Sequence, residues 1–181
     1  MGISLNRVDR RQYLRGIGSA LAALMLGSLL TSTARGQQDS QTVVYPINGS
    51  HTEVLAAKEV RRYIFLRTGV APTLVAADSY SNLPDGDVIV VSNGGRAIIA
   101  ELKQHYGNVD PPISGNRKGY LIKSIKKDGR DILVIAGADT VTTLNAAYRF
   151  AELLGCYFNL AGDVIPDRRL PLPLKLSLIH I

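Results

Sequence analysis

Gly119-Tyr120-Leu121-Ile122-Lys123-Ser124-Ile125, followed by Lys126-Lys127-Asp128-Gly129-Arg130 and then Asp131-Ile132-Leu133-Val134-Ile135-Ala136, is the stretch on which the fold turns. Two apolar, β-branched runs flank an Asp-Gly pair, and glycine accepts the positive φ that a tight hairpin turn demands. The pattern predicts two consecutive antiparallel strands. Strict alternation of strand and helix would build a purely parallel sheet, so this hairpin points to a mixed one.

The flanking sequence supplies the rest. Asp87-Val88-Ile89-Val90-Val91-Ser92 is a nearly continuous apolar run of strand length, as expected of a strand covered on both faces. Val43-Val44-Tyr45-Pro46-Ile47 reads as a strand, and Pro46 marks an edge or a strand end. After the Asn48-Gly49 turn, Ser50-His51-Thr52-Glu53 fits a capping box in which Glu53 reaches back from the third helical position. The helix it opens places Ala56, Val60, Tyr63, Ile64 and Arg67 along one stripe, and Gly69 closes it. Residues 71–76 form a short strand, and 78–86 a loop. Asn93 is expected to cap a second helix that buries Ile98, Ile99 and Leu102 and ends near Tyr106-Gly107; residues 108–117 read as a loop. Asp139 or Thr140 caps a third helix with Val141, Leu144, Ala147, Tyr148, Ala151 and Leu154 as its buried stripe and Gly155 at its end. Residues 156–160 are a last strand or extended segment. The order β-α-β-β-α-β-β-α-β predicts an α/β two-layer sandwich, a mixed sheet with helices mainly on one face.

The chain of 181 residues carries 21 basic and 15 acidic side chains, a net charge of +6. A basic balance of that size raises the question of a nucleic-acid or anionic-membrane partner. The charge, however, is concentrated at the front. Residues 1–36 hold Arg7, Arg10, Arg11, Arg15 and Arg35 against Asp9 alone, a net of +4, ahead of an apolar run over 17–30 and the small residues Ser32, Thr33 and Ala34. A basic segment, a short apolar segment and a small-x-small site describe an export signal, and the run is shorter than the ~20 residues a membrane span needs. Cleavage after Ala34 or after Gly36 both satisfy the rule. The remainder is near +2, an ordinary surface charge, so nucleic acid is not expected as a partner.

Candidate chemistry is sparse. Gly94-Gly95, between a strand and a helix, is a place where a phosphate could meet backbone N–H groups, but neither the dinucleotide fingerprint nor the P-loop spacing is present. A tight turn is the reading preferred there, and no cofactor is expected. His51, His105 and His180 are scattered without a partner at metal-ligand spacing, so no metal is expected either. Cys156, the one cysteine, sits among apolar neighbours and reads as a buried strand residue. Asp163 and Asp167 are an acidic pair in a loop, short of the opposed carboxyl groups that glycoside hydrolysis requires. No catalytic residue is assigned.

Two resemblances add to this reading. Asp9-Arg10-Arg11-Gln12-Tyr13-Leu14-Arg15 resembles the twin-arginine export motif, with Arg10, Arg11, Tyr13 and Leu14 as its targeting residues. The second is carried by Ala56-Ala57-Lys58-Glu59-Val60-Arg61-Arg62-Tyr63-Ile64 ending at Thr68-Gly69, by Gly119-Tyr120-Leu121-Ile122, and by Ile135-Ala136-Gly137-Ala138-Asp139. Above all it runs from Ala146-Ala147-Tyr148-Arg149-Phe150-Ala151-Glu152-Leu153-Leu154-Gly155-Cys156-Tyr157-Phe158 into Gly162-Asp163-Val164-Ile165-Pro166. This pattern resembles the N-terminal accessory domain of α-glucuronidases and the related non-catalytic domain of β-N-acetylhexosaminidases.

The resemblance implies a small α/β sandwich preceding a (β/α)8 barrel that holds the catalytic carboxylates. The expected organisation is a signal peptide at 1–36, a polar leader at 37–42, the accessory domain at 43–167, and a linker and tail at 168–181. Leu176-Ser177-Leu178-Ile179-His180-Ile181 resembles translated adapter read-through, which suggests a truncated gene; an apolar terminal strand is the alternative. The partners expected are the downstream barrel, the export machinery and, indirectly, a carbohydrate substrate. The competing expectations are a free-standing periplasmic binding module and a small exported cofactor-binding protein.

Overall fold

A computed structural model describes residues 41–172 except 108, 112, 115, 116 and 128, together with residue 174. The segment expected to be a signal peptide, with Arg10, Arg11, Tyr13 and Leu14, most of the expected polar leader, and His180 with the rest of 175–181 lie outside the described residues.

The architecture is the expected α/β sandwich on a mixed sheet. The elements are β1 (Thr42–Tyr45), α1 (His51–Thr68), β2 (Thr73–Ala76), a 3-10 turn (Tyr80–Asn82), β3 (Val88–Asn93), α2 (Ala97–Tyr106), β4 (Ile113–Ser114), β5 (Arg117–Lys118), β6 (Tyr120–Lys127), β7 (Arg130–Gly137), α3 (Thr140–Leu153), β8 (Tyr157–Asn159) and β9 (Gly162–Val164). The main sheet has the order β2-β1-β3-β7-β6. Its first four strands are parallel, and β6 pairs antiparallel with β7. The hairpin read from the sequence therefore forms: Lys127 faces Arg130, and Gly129 takes φ +78° at the turn.

The side-chain period of two divides the sheet into two apolar faces. Val43, Ile89, Val91, Ile122, Leu133 and Ile135 face α1 and α3. Val44, Val88, Val90, Ile132, Val134 and Ala136 point the other way, where Ile98, Ile99 and Leu102 of α2 cover them. Two helices thus build the main sandwich and the shorter one caps part of the opposite face. That explains why the run Val88 to Val91 is buried throughout. Alanines make the first layer thin: Ala56 and Ala57 of α1 and Ala146, Ala147 and Ala151 of α3 are all buried in one cluster with Val60 and Phe150. Gly137, where β7 passes under the start of α3, has no room for a Cβ, which would collide with the backbone of Thr142 and Thr143.

The structure departs from the expected pattern in several places. Asn93 still belongs to β3; α2 begins at Ala97, with Arg96 as an N-cap whose side chain makes no capping bond. Two glycines intervene, so the chain must turn before it can coil. Val141 is 61% exposed, because the buried stripe of α3 runs through Thr143, Ala146, Ala147, Phe150 and Ala151 and leaves Val141 on the opposite side of the helix. At the end of the expected loop 108–117, β4 and β5 form a two-residue ladder that reaches Lys118. The segment 156–160 is the first strand of a separate two-stranded ribbon, β8–β9, and does not join the main sheet. In the segment expected as a linker from residue 168 on, Leu170 and Leu172 pack on the core cluster beneath α1 and α3, and Leu174 is buried in it.

The central strand β7 predicts a contrast that equilibrium denaturation can read. Leu133→Ala should cost roughly 2–5 kcal/mol, whereas Val141→Ala on the exposed side of α3 should stay within about 0.5 kcal/mol.

Candidate functional site

In an open parallel sheet, ligands bind outside the carboxyl ends of the strands where the strand order reverses. Here that point lies between β1 and β3, since the chain passes from β1 to β2 on one side and places β3 on the other. The loops meeting there are Pro46–Ser50, leading into α1, and Asn93–Arg96, leading into α2.

At the centre of the crevice is Glu53, 0% exposed. Its place follows from the capping box: Ser50 Oγ accepts the Glu53 N–H at 3.3 Å, and Glu53 Oε2 accepts the Ser50 N–H at 2.8 Å. The same carboxylate then crosses to the neighbouring loop. Oε1 accepts the Asn93 N–H at 3.2 Å, the Asn93 side-chain amide at 2.9 Å and Arg96 Nε at 3.1 Å, while Oε2 accepts Arg96 Nη2 at 2.6 Å. Burial alone would push the carboxyl pKa up. The hydrogen bonds from Arg96, Ser50 and Asn93 outweigh it and hold the group at about 2, below its ordinary 4.5. The Arg96 guanidinium is correspondingly raised by its bonds to Glu53.

This arrangement fills the crevice with the protein's own charges. The positive end of the α1 dipole, which would otherwise attract an anion, already faces the Glu53 carboxylate. The Gly94-Gly95 turn offers no cradle either. Gly94 N–H donates to the Gly137 carbonyl at 2.7 Å, and Gly95 N–H donates to Asn93 Oδ1 at 2.9 Å. Both amides that a phosphate would need are spent, and Pro111 lies directly against Gly94. The site is an internal tie between two loops, and its chemistry is structural.

The other residues singled out in the sequence are not brought together. His51 is exposed in the first turn of α1. His105 is exposed on α2, its ring stacked on Tyr80 with centroids 4.4 Å apart. Among the described residues no cluster of His, Cys, Asp and Glu could hold a metal ion. Cys156 is fully buried, and burial pushes its thiol up, away from the thiolate a nucleophile needs. Asp163 and Asp167 are separated: Asp163 turns onto α1 while Asp167 lies exposed in the bend beyond.

Asp163 leads to a constellation that was not legible in the sequence. Its Oδ2 accepts Tyr63 Oη at 2.5 Å and Arg62 Nη2 at 3.1 Å. The Tyr63 hydroxyl, with Arg62, holds the Asp163 carboxyl below its ordinary value against the opposing effect of burial. Burial and the bond to Asp163 together raise the Tyr63 phenol. Arg62 also pairs with Glu59 at 3.1 Å, and its guanidinium lies 4.9 Å from the centroid of the Tyr63 ring. Around this polar knot Tyr63, Tyr148 and Phe158 pack edge to face, with centroids 5.4–6.4 Å apart. The inner face of the β8–β9 ribbon is thereby anchored to α1 and α3. Its outer face is open: Tyr157 is 67% exposed, Val164 47%, and Leu160 at the tip wholly so. The one signal pointing here was Tyr63, a phenol on a buried stripe, which must find a partner for its hydroxyl.

Compared with known proteins, the chain matches no family model and no curated protein.

Glu53 gives a pH signature with a definite sign. Its folded pKa of about 2 lies below the 4.5 of the free group, so the unfolded chain binds the proton more readily. The stabilisation, about 3 kcal/mol by linkage, is complete above pH 4.5 and is lost as pH falls from there through 2. Denaturation of Glu53→Gln should show that slope removed, together with a loss of roughly 3–5 kcal/mol at neutral pH, because Arg96 is left without its counter-charge.

Proposed function

We propose that this chain is the exported, non-catalytic accessory domain of a carbohydrate-active enzyme of the glycoside hydrolase type, acting beside a downstream catalytic barrel. The observation that carries the proposal is the β8–β9 ribbon. It is pinned from beneath by Asp163, Tyr63 and the aromatic cluster, yet it turns Tyr157, Leu160 and Val164 to solvent. Contiguous apolar surface on an anchored element is what a domain–domain contact requires. The ribbon also lies in the segment, residues 146–166, whose sequence most resembles the accessory domain of α-glucuronidases. A crevice closed by the Glu53–Arg96 pair supports the same reading, since it leaves the domain a scaffolding role.

In this reading the twin-arginine-like segment sends the protein to the periplasm or beyond, and carbohydrate is met through the catalytic partner. Cofactor and nucleic acid play no part. The decisive observation is the genomic sequence past codon 175. The frame should continue into βα repeats that carry paired acidic residues; a genuine stop codon there overturns the proposal in favour of a free-standing periplasmic module.

Two further outcomes are expected. Arg10→Lys combined with Arg11→Lys should leave the precursor in the cytoplasm on cell fractionation, because the two side chains are not interchangeable in recognition. In sedimentation, the chain by itself should associate with rising concentration, and Leu160→Ser with Tyr157→Ser should abolish that association while changing stability by no more than about 0.5 kcal/mol. A wild-type chain that stays monomeric would count against a docking role for the ribbon.

A further inference from the structure

Arg67 is the last basic residue of α1 and is 5% exposed, yet among the described residues no carboxylate pairs with it. Its guanidinium is instead spent on backbone carbonyls from the chain that follows α3. Nε donates to Leu154 O at 2.7 Å, and Nη1 donates to Pro166 O at 2.7 Å and to Arg168 O at 2.8 Å. The Arg67 carbonyl in turn accepts the Leu170 N–H at 2.6 Å. A buried cation without a counter-ion is tolerated only where its donors are satisfied, and the C-terminal end of the α1 dipole favours it further. Lysine lacks the planar fork that spans three carbonyls.

The bond to Leu154 ties Arg67 to the end of α3, and the other three fall on one short strap, residues 165–172 with Leu174. Beyond Arg67 the strap is held by Leu170, Leu172 and Leu174 against the first core cluster, and by Gln41 Nε2 donating to Leu174 O at 2.9 Å. Leu172 also lines a small cleft with Gln41, Ile64, Val70 and Pro72. In the middle of the strap sits the pair Arg168-Arg169, both exposed. Their side chains are on display, but the peptide groups around them are not free: Arg168 O and Leu170 N are both bonded to Arg67. A trypsin-like protease must draw this backbone into its own extended geometry, so cleavage requires the strap to leave α1 first.

We propose that Arg67 is the clasp of a latching strap: residues 165–172, with Leu174, dock or release as a unit, and docking shields the dibasic step Arg168-Arg169 from trypsin-like proteolysis. Release would uncover Leu170, Leu172 and Leu174 together with the cleft beneath Leu172. The chain would then be open to cutting between the ribbon and whatever follows Leu174. The device is independent of the accessory-domain reading, since it concerns only how this chain holds its own strap.

The test is a trypsin time course on the full chain with the cleavage sites assigned by mass spectrometry, beside a free peptide of residues 163–174 as the unprotected reference. In the wild type, cutting after Arg168 and Arg169 should be slower than in the peptide by a factor on the order of a hundred or more. Arg67→Gln should speed those two cuts by on the order of tenfold or more, with Arg67→Lys in between and Arg149→Gln without effect. Wild-type cutting at the peptide's rate, or protection unchanged in Arg67→Gln, overturns the proposal. Should Arg67→Gln fail to fold, hydrogen exchange on the wild type decides it. A Leu170 amide that exchanges far more slowly than in the free peptide supports the latch, and unprotected exchange at Leu170 overturns it.

Discussion

A carboxylate sealed inside a protein must be surrounded by donors, and at Glu53 this requirement ties the two halves of the parallel sheet together. One residue caps α1 through Ser50 and binds Asn93 and Arg96 across the β1–β3 boundary. The donors come from two loops separated by about forty residues of sequence, so neither loop can move without stripping the charge of its compensation. The same network decides the chemistry of the crevice. A position that other open sheets use for ligands is here occupied by an internal ion pair, and the adjacent glycine amides are consumed by Gly137 and Asn93.

With that end of the sheet closed, what the molecule offers lies on the far side of α1 and α3. Arg62, Tyr63 and Arg67 line the C-terminal half of α1, and each receives a piece of the chain that follows α3. Asp163 of the ribbon lands on the first two, and the carbonyls of Leu154, Pro166 and Arg168 land on the third. The polypeptide after Leu154 is therefore an outer layer moulded on α1. Hydrogen bonds and apolar packing hold its inner side, while its outer side shows Tyr157, Leu160 and Val164 on the ribbon and Asp167, Arg168 and Arg169 beyond it.

Local signals in the chain account for much of this architecture. The capping box at Ser50–Glu53, the Gly69 terminus with φ +83°, the double-faced strand Val88 to Val91 and the Asp-Gly hairpin all depend on neighbours within a few residues, and all four form as expected. The errors have a common character. Asn93 looks like a helix cap because its side chain suits one, yet Glu53 and Gly95 claim that side chain. Val141 fits an apolar stripe of α3, but the face that packs on the sheet is rotated from it and centres on Thr143, Ala146, Ala147 and Phe150. Of the candidate site, the carboxylate of Glu53 and the turn at Gly94-Gly95 were visible in the sequence; the ribbon's anchoring and the role of Arg67 were not.

By itself the sequence determined the elements, their order and the mixed character of the sheet, because propensity, capping and hydrophobic period act over one or two turns of chain. It also separated a strongly basic stretch, residues 1–36, from a nearly neutral remainder. Only the tertiary structure decided which polar groups meet. Glu53 with Arg96, Tyr63 with Asp163 and Arg67 with the strap are joined across 43 to 101 positions, and no local pattern encodes such partners. Burial removes water from each of these groups and makes a protein partner obligatory. Which partner it finds follows from where the layers close.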